Sequence, residues 1–199
     1  VIDASKGVEA QTIKLFKVCV MRHIPIFTFI NKMDLEARDP FELLDDIENV
    51  LGIRTCPINW PIGSGKRFKG VYDRDTKQVS MFKAVSVGGS KSAAETDYDV
   101  NDSALKEEIG EELYGTLCDE IELLDGASDE FNQELVDKGE LSPVFFGSAL
   151  TTFGVETFLK HFLKMTKSPL ARMSDAGLID PVTEPFSGFI FKIQANMNK

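Results

Sequence analysis

The sequence predicts an α/β fold: a parallel sheet, interrupted by an inserted α+β subdomain and followed by a C-terminal β segment. Three observations predict it. Two short runs, Ile26-Phe27-Thr28-Phe29-Ile30 and Pro143-Val144-Phe145-Phe146, are apolar without polar alternation, as strands buried on both faces of a parallel sheet are, and a helical stripe follows each. Between them, from about Trp60, the texture turns to glycine-rich loops, a hairpin and acidic helices. Near the end, Phe186-Ser187-Gly188-Phe189-Ile190-Phe191-Lys192-Ile193 alternates like a strand of an antiparallel sheet.

Taken in order, Val1-Ile2 reads as a strand running into the polar turn Asp3-Ala4-Ser5-Lys6-Gly7. Residues 8–22 place Ile13, Phe16 and Val20 on one face of a helix that Pro25 ends. After Asn31-Lys32-Met33-Asp34, Asp39 is an N-cap, Pro40 suits the first helical position, Phe41, Leu44, Ile47 and Leu51 form an inward stripe, and Gly52 is a left-handed terminator. Pro61-Ile62-Gly63-Ser64-Gly65-Lys66 reads as loop, and Gly70-Val71-Tyr72 with Val79-Ser80-Met81-Phe82 as an antiparallel hairpin. Residues 87–102 read as a mobile stretch. One long helix is expected over 104–124, with Leu105, Ile109, Leu113, Leu117, Ile121 and Leu124 on one face and Gly126 stopping it. A shorter helix, opened by Ser128 and closed by Gly139, completes the insertion. Val155, Phe158, Leu159, Phe162 and Leu163 mark a helix that Pro169 terminates, and 169–185 read as a linker.

Composition narrows the function. Hydrophobic residues make up 43% and charged residues 27%, which excludes a disordered chain. No apolar run reaches the roughly 18 to 20 residues of a membrane span, so no membrane partner is expected. Cys19, Cys56 and Cys118 are scattered and odd in number, which argues for a reducing, cytoplasmic setting and against a zinc site. With 22 Lys and Arg against 32 Asp and Glu, the net charge of −10 argues against direct DNA binding. The first residue is Val1 rather than methionine, within what reads as a strand, and the expectation is a piece of a longer protein.

Two loops stand where open parallel sheets bind ligands, outside the carboxyl ends of the strands: Asn31-Lys32-Met33-Asp34 and Gly147-Ser148-Ala149. Their side chains suit guanine. A carboxylate such as that of Asp34 accepts two parallel hydrogen bonds from N1–H and the exocyclic amine, a donor pair adenine lacks on that edge. The Asn31 amide can reach N7 and O6, and the aliphatic stem of Lys32 can lie on the ring while its ammonium stays wet. The small pair Ser148-Ala149 would let backbone N–H groups approach O6. Against this, Asn and Asp after a strand are also ordinary turn formers.

These segments carry a resemblance. Val1-Ile2-Asp3-Ala4-Ser5-Lys6-Gly7-Val8-Glu9 with Gln11-Thr12, then Phe29-Ile30-Asn31-Lys32-Met33-Asp34, and Gly147-Ser148-Ala149-Leu150 resemble the second half of the GTPase domain of translation factors. Within that family Trp60-Pro61-Ile62-Gly63, Gly65-Lys66-Arg67-Phe68-Lys69-Gly70-Val71-Tyr72, 143–150 and 186–197 resemble the peptide chain release factor 3 branch, and elongation factor G more loosely. The resemblance implies an incomplete P-loop-GTPase-type sheet: 1–64 and 141–168 from the GTPase domain, 65–140 an insertion, and 169–199 a linker and the first strand of a β-barrel domain. It implies guanine binding by Asn31, Lys32, Asp34, Ser148 and Ala149, and GTP or GDP as ligand, with Mg²⁺ in the full-length protein only. It further implies GTP hydrolysis by the full-length protein, and the ribosome and class I release factors as partners in translation termination. The competing readings are an elongation factor G-like translocase and a non-catalytic α/β interaction module.

A GTPase also needs a phosphate loop, a Ser or Thr on Mg²⁺ and a water-positioning group. Gly63-Ser64-Gly65-Lys66 lacks the glycine spacing of such a loop, and neither Ser/Thr nor an amphipathic helix follows Lys66. No catalytic residue is assigned, and this chain by itself is expected to be inactive. Of the remaining features, Lys66, Arg67 and Lys69 read as a solvated loop or an RNA contact, and His23 as a group suited to a helix end. His161 is expected to face solvent and Trp60 to pack between the subdomains. The acids of 107–120 read as a solvated helix face.

Overall fold

The structure, a computed structural model, describes residues 1–82, 95–169, 171–175, 177–182, 186, 188, 190, 192 and 193. It divides into two units, Val1–Leu163 and Lys164–Lys199. In chain order the elements are β1 (Ile2–Asp3), α1 (Ala10–Met21), β2 (Thr28–Asn31), α2 (Pro40–Leu51), β3 (Arg54–Pro57), β4 (Asn59–Ile62), a one-turn 3₁₀ helix (Gly65–Arg67), β5 (Gly70–Asp73), β6 (Gln78–Phe82), β7 (Glu95–Asp99), α3 (Ser103–Ile109), α4 (Glu111–Ala127), α5 (Gln133–Lys138), β8 (Leu141–Phe146), α6 (Val155–Met165), β9 (Arg172–Ser174) and β10 (Gly177–Ile179).

The expected parallel sheet is present, in the order β1-β2-β8-β3, with every neighbouring pair parallel. Register explains its two buried faces. Phe29 pairs with Phe145, and both rings meet Phe158 of α6, at 5.4 and 5.0 Å between centroids. One residue on, Ile30 pairs with Phe146, whose ring points to the other face and meets Trp60 at 5.2 Å, with Phe41 of α2 closing on Trp60 at 4.6 Å. The helix α2 follows its signals: Asp39 accepts from the Phe41 and Glu42 N–H groups at 2.8 and 3.3 Å, and Gly52 sits at φ 72°. In α1 the expected stripe is weaker than its spacing implies: Phe16 packs against the core, Val20 is exposed, and no residue of the helix is fully buried.

The insertion forms a second, antiparallel sheet in the order β4-β5-β6-β7, containing the expected β5–β6 hairpin. Several expectations need correction. Pro61-Ile62 is not loop but the end of β4; proline is tolerated there because β4 is an edge strand. Part of the stretch expected to be mobile is β7, and 83–94 lie outside the described residues. The single helix over 104–124 is two, α3 and α4, because Gly110 breaks it at φ 88°, while Leu105, Leu117 and Leu124 keep their common burial. Gly126 lies inside α4, whose last residue is Ala127, and Ser128 is its C-cap. The following helix is opened by Asn132, which accepts from the Glu134 and Leu135 N–H groups at 3.0 and 3.2 Å, and Gly139 closes it in the left-handed region.

Helix α6 turns a different face inward from the one its apolar spacing indicates. Leu159 and Leu163 are exposed, whereas Thr157 and His161, one turn apart, are buried. His161, expected at the surface, is 3% exposed and hydrogen-bonded through Nε2 to Asp73 Oδ2 at 2.6 Å. Trp60 is fully buried against Phe41 and Phe146, and its Nε1–H donates to Glu120 Oε2 at 2.8 Å.

In the second unit, β9 and β10 form an antiparallel pair within the stretch expected to be linker. The expected strand over 186–193 falls largely outside the described residues, which there are Phe186, Gly188, Ile190, Lys192 and Ile193.

Candidate functional site

Parallel pairing of β1 with β2 and of β2 with β8 brings three loops to one end of the sheet: Asp3–Gly7, Asn31–Asp34 and 147–154. Backbone bonds bind the last two together. Gly147 N–H donates to Ile30 O at 3.0 Å, and Met33 N–H donates to Gly147 O at 3.1 Å. Gly147 allows this approach, since a Cβ there would meet the Phe153 carbonyl oxygen and, at 2.9 Å, the Phe29 ring. Below it, the buried Asn59 side chain pairs with the Phe146 backbone like a strand, at 3.0 and 2.7 Å, and fixes where β8 ends.

Asn31 Oδ1 accepts two backbone N–H groups, from Lys32 at 2.9 Å and Ala149 at 2.8 Å. Only an oxygen can accept both, so the acceptor end of this amide locks the two loops together and its NH₂ end is what remains for another molecule. Lys32 is held in the left-handed region at φ 72°. Its ammonium donates to Asp3 Oδ2 at 2.7 Å, while Asp3 Oδ1 accepts from Ser5 N–H and Oγ–H at 2.9 and 2.7 Å. These bonds, that from Lys32 foremost, hold the Asp3 carboxyl far below the usual range, and Asp3 in turn raises the Lys32 ammonium above its usual value. Met33, between the polar residues, is fully buried and anchors the loop. Gly65 N–H donates to Met33 O at 2.8 Å, so the 63–66 segment supports this loop from below rather than forming a cradle of its own.

Asp34 is the exception to this accounting. Among the described residues, two buried side-chain polar atoms lack a hydrogen-bond partner, Asp34 Oδ1 and Thr151 Oγ1. Both belong to these loops. A buried acceptor without a donor costs about 1–3 kcal/mol, so each such group calls for an explanation in strain, in solvent or in a bound molecule. Asp34 is legible in the sequence and Thr151 is not. Thr151 lies three residues beyond Ser148, whose Oγ accepts its N–H at 3.3 Å, and no spacing rule singles it out.

Ser148 and Ala149 differ from expectation in one respect. Their N–H groups are engaged, Ser148 with Phe153 O at 2.8 Å and Ala149 with Asn31 Oδ1. A ligand oxygen meeting Ala149 N–H therefore shares that donor with Asn31. Ser148 is buried and Ala149 exposed, so all five selected residues lie on the two joined loops.

A separate groove of about 660 Å³ lies between the start of α2, the end of β4 and the start of α4, and shares none of the five. It mixes Arg38, Arg67 and Lys69 with Glu111, Glu112 and Glu120. No helix among the described residues is long and apolar enough to cross a membrane.

Residues 1–168 match the family described as Elongation factor Tu GTP binding domain. The chain is 55% identical over 197 residues to the peptide chain release factor 3 of Symbiobacterium thermophilum, covering 99% of this chain and 37% of that one. It is 50% identical over 197 residues to that of Trichormus variabilis, covering 99% and 36%. The chain thus spans little more than a third of the length of these curated relatives. A solved structure from Thermus thermophilus superposes with a TM-score of 0.57 at 19% identity, covering 84% of this chain and 26% of that one, and shows a common fold. Domain match, 50–55% identity over nearly the whole of this chain and the joined strand-end loops agree: the chain belongs to the translational GTPase family of the elongation factor Tu GTP-binding domain, and within it resembles peptide chain release factor 3.

Proposed function

We propose that Asn31, Lys32, Asp34, Ser148 and Ala149 read guanine, and that the full-length protein is a GTP-binding translation termination factor that hydrolyses GTP on the ribosome. The observation that carries this reading is the buried, partnerless Asp34 Oδ1 at the carboxyl end of β2. The N1–H and exocyclic amine of guanine are the adjacent donors such a carboxylate lacks. The NH₂ end of Asn31 is a donor, and N7 and O6 of the same base are acceptors. The bound base then supplies partners to Asp34 Oδ1 and to the NH₂ end of Asn31, whose Oδ1 is already paired with the Lys32 and Ala149 N–H groups.

The names of the relatives support extending this to termination, with the ribosome and class I release factors as partners in releasing and recycling those factors. On this reading, 1–64 and 141–168 are parts of the nucleotide domain and 65–140 an insertion, although the antiparallel sheet already begins at Asn59. The phosphates and Mg²⁺ are held by segments beyond these residues, and this chain alone binds GDP weakly and does not hydrolyse GTP. Tight GDP binding by residues 1–199 in calorimetry overturns that part.

Exchange of Asp34 tests the base reading. Asp34→Asn in the full-length protein replaces one acceptor with a donor, which suits xanthine, whose oxygen stands where guanine carries its amine. GTPase activity falls about 100-fold or more with GTP and returns with xanthosine triphosphate. Unchanged GTP activity in the variant overturns the base reading, and absence of GTPase activity from the full-length wild-type protein favours a non-catalytic α/β scaffold. That second reading draws on the internal engagement of the Ser148 and Ala149 N–H groups.

A further inference from the structure

We infer that Asp3 is a positioning residue for guanine-nucleotide binding: it holds the Lys32 ammonium over the end of β1 and so keeps it off the Asp34 carboxylate. The inference rests on the guanine reading of Asp34 and extends it to a residue that touches no base. Asp3 ends β1 and is in register with Asn31 on β2, so its carboxylate stands beside the residue preceding Lys32. It meets Lys32 Nζ at 2.7 Å, with its other oxygen fixed by Ser5. The Asp3 side chain is 11% exposed and that of Lys32 50%, so the carboxylate is the anchored partner and the lysine the one that would otherwise move.

The need for an anchor follows from the neighbours of Lys32. Three carboxylates act on its ammonium: Asp3, which hydrogen-bonds it, and Glu9 and Asp34 at longer range. Of these, Asp34 has a buried oxygen without a donor. A lysine carries three donors on a four-carbon stem with free rotation, so an untethered Lys32 is free to turn to Asp34, whose oxygen has no partner, whereas Glu9 is already met by Lys6 at 3.6 Å. Such a contact would satisfy Asp34 from within the protein and block the acceptor the base needs. Held by Asp3 instead, the ammonium leaves Asp34 open and its stem reaches from the end of β2 to the end of β1, where it can lie against a flat ring. Asp3 therefore acts twice through Lys32, by restricting a flexible side chain before binding and by preventing self-occupation of the base-reading carboxylate.

The test is a double-mutant cycle on the full-length protein, reading GDP affinity by titration. Asp3→Asn weakens GDP about 5-fold, whereas Lys32→Met, which keeps the stem and cannot pair, makes the further change Asp3→Asn nearly silent. Asp3→Glu retains most of the affinity. Ser5→Ala removes a bond to Asp3 without touching Lys32 and leaves affinity within about 2-fold. An equal loss from Asp3→Asn in the wild-type and Lys32→Met backgrounds, or a Ser5→Ala loss equal to that of Asp3→Asn, assigns Asp3 to the turn alone and overturns the inference. Failure of Asp34→Asn to change base preference is a separate outcome that removes the guanine reading itself.

Discussion

The junction of the two sheets and the loops that follow β2 and β8 treat buried polar groups in opposite ways. Where the antiparallel sheet meets the parallel one, the polar side chains have partners: His161 with Asp73, Trp60 with Glu120, Asn59 with the Phe146 backbone, and Arg74 Nη1 with Pro57 O at 2.9 Å. At the carboxyl ends of β2 and β8, Asp34 Oδ1 and Thr151 Oγ1 have none. Both regions are polar and partly buried, so burial alone does not distinguish them. What distinguishes them is whether the hydrogen-bond inventory closes within the chain. The closed set holds layers together, and the open one is where the proposed base would complete the bonding.

This contrast is open to attack by mutation, starting at the closed region. His161→Ala removes the ring that pairs with Asp73 and leaves a buried carboxylate beside a cavity. Unfolding in urea should show a loss of about 3 kcal/mol, and a loss below about 1 kcal/mol would mean that the junction is not a staple. The same pair predicts a pH effect. Burial pushes the Asp73 carboxyl up, but His161 and the N–H groups of Thr76 and Asp75 together hold it below its ordinary value of 3.8. A carboxylate lowered on folding lends stability that is present above its unfolded value and is lost as pH falls through the folded one. Asp73→Asn should therefore flatten the acid limb of the stability curve below about pH 4, and an unchanged limb would assign the acid sensitivity elsewhere.

Smaller effects should sharpen the comparison. Trp60→Phe keeps the ring contacts with Phe41 and Phe146 and deletes the donor to Glu120, whose carboxyl burial already pushes above its usual value. About 1–2 kcal/mol should be lost, visible as a lower urea midpoint. At the open region the expectation reverses. Asp34→Ala removes an acceptor that nothing satisfies, so the midpoint should be unchanged or slightly higher while guanine-nucleotide binding by the full-length protein is abolished. A stability loss as large as that of His161→Ala would place Asp34 among the structural groups.

Much of the candidate site was legible because its signals are local. Asp34, Asn31 and Lys32 directly follow a buried strand, and their chemistry is set by residue type. The cap at Asp39 and the terminator Gly52 are local too, and both are in place. Thr151 escaped notice because its significance is an absent partner, which only neighbours in space define. The inward turn of His161 escaped for the same reason: periodicity ranks leucine above histidine for burial, and the order reverses once Asp73, 88 residues away, supplies the acceptor.

Local pattern was enough for the α/β class, the strand-end loops and the guanine-suited side chains, because hydrophobic period, capping and residue chemistry act over a few residues. It took the folded arrangement to establish that Gly110 splits the acidic helix, that Asn59-Trp60-Pro61-Ile62 is a strand, that Asp3 holds Lys32, and that Asp34 is left open. The last three depend on which donors and acceptors meet between distant segments, and the helix break on how α3 and α4 pack, which no local pattern encodes.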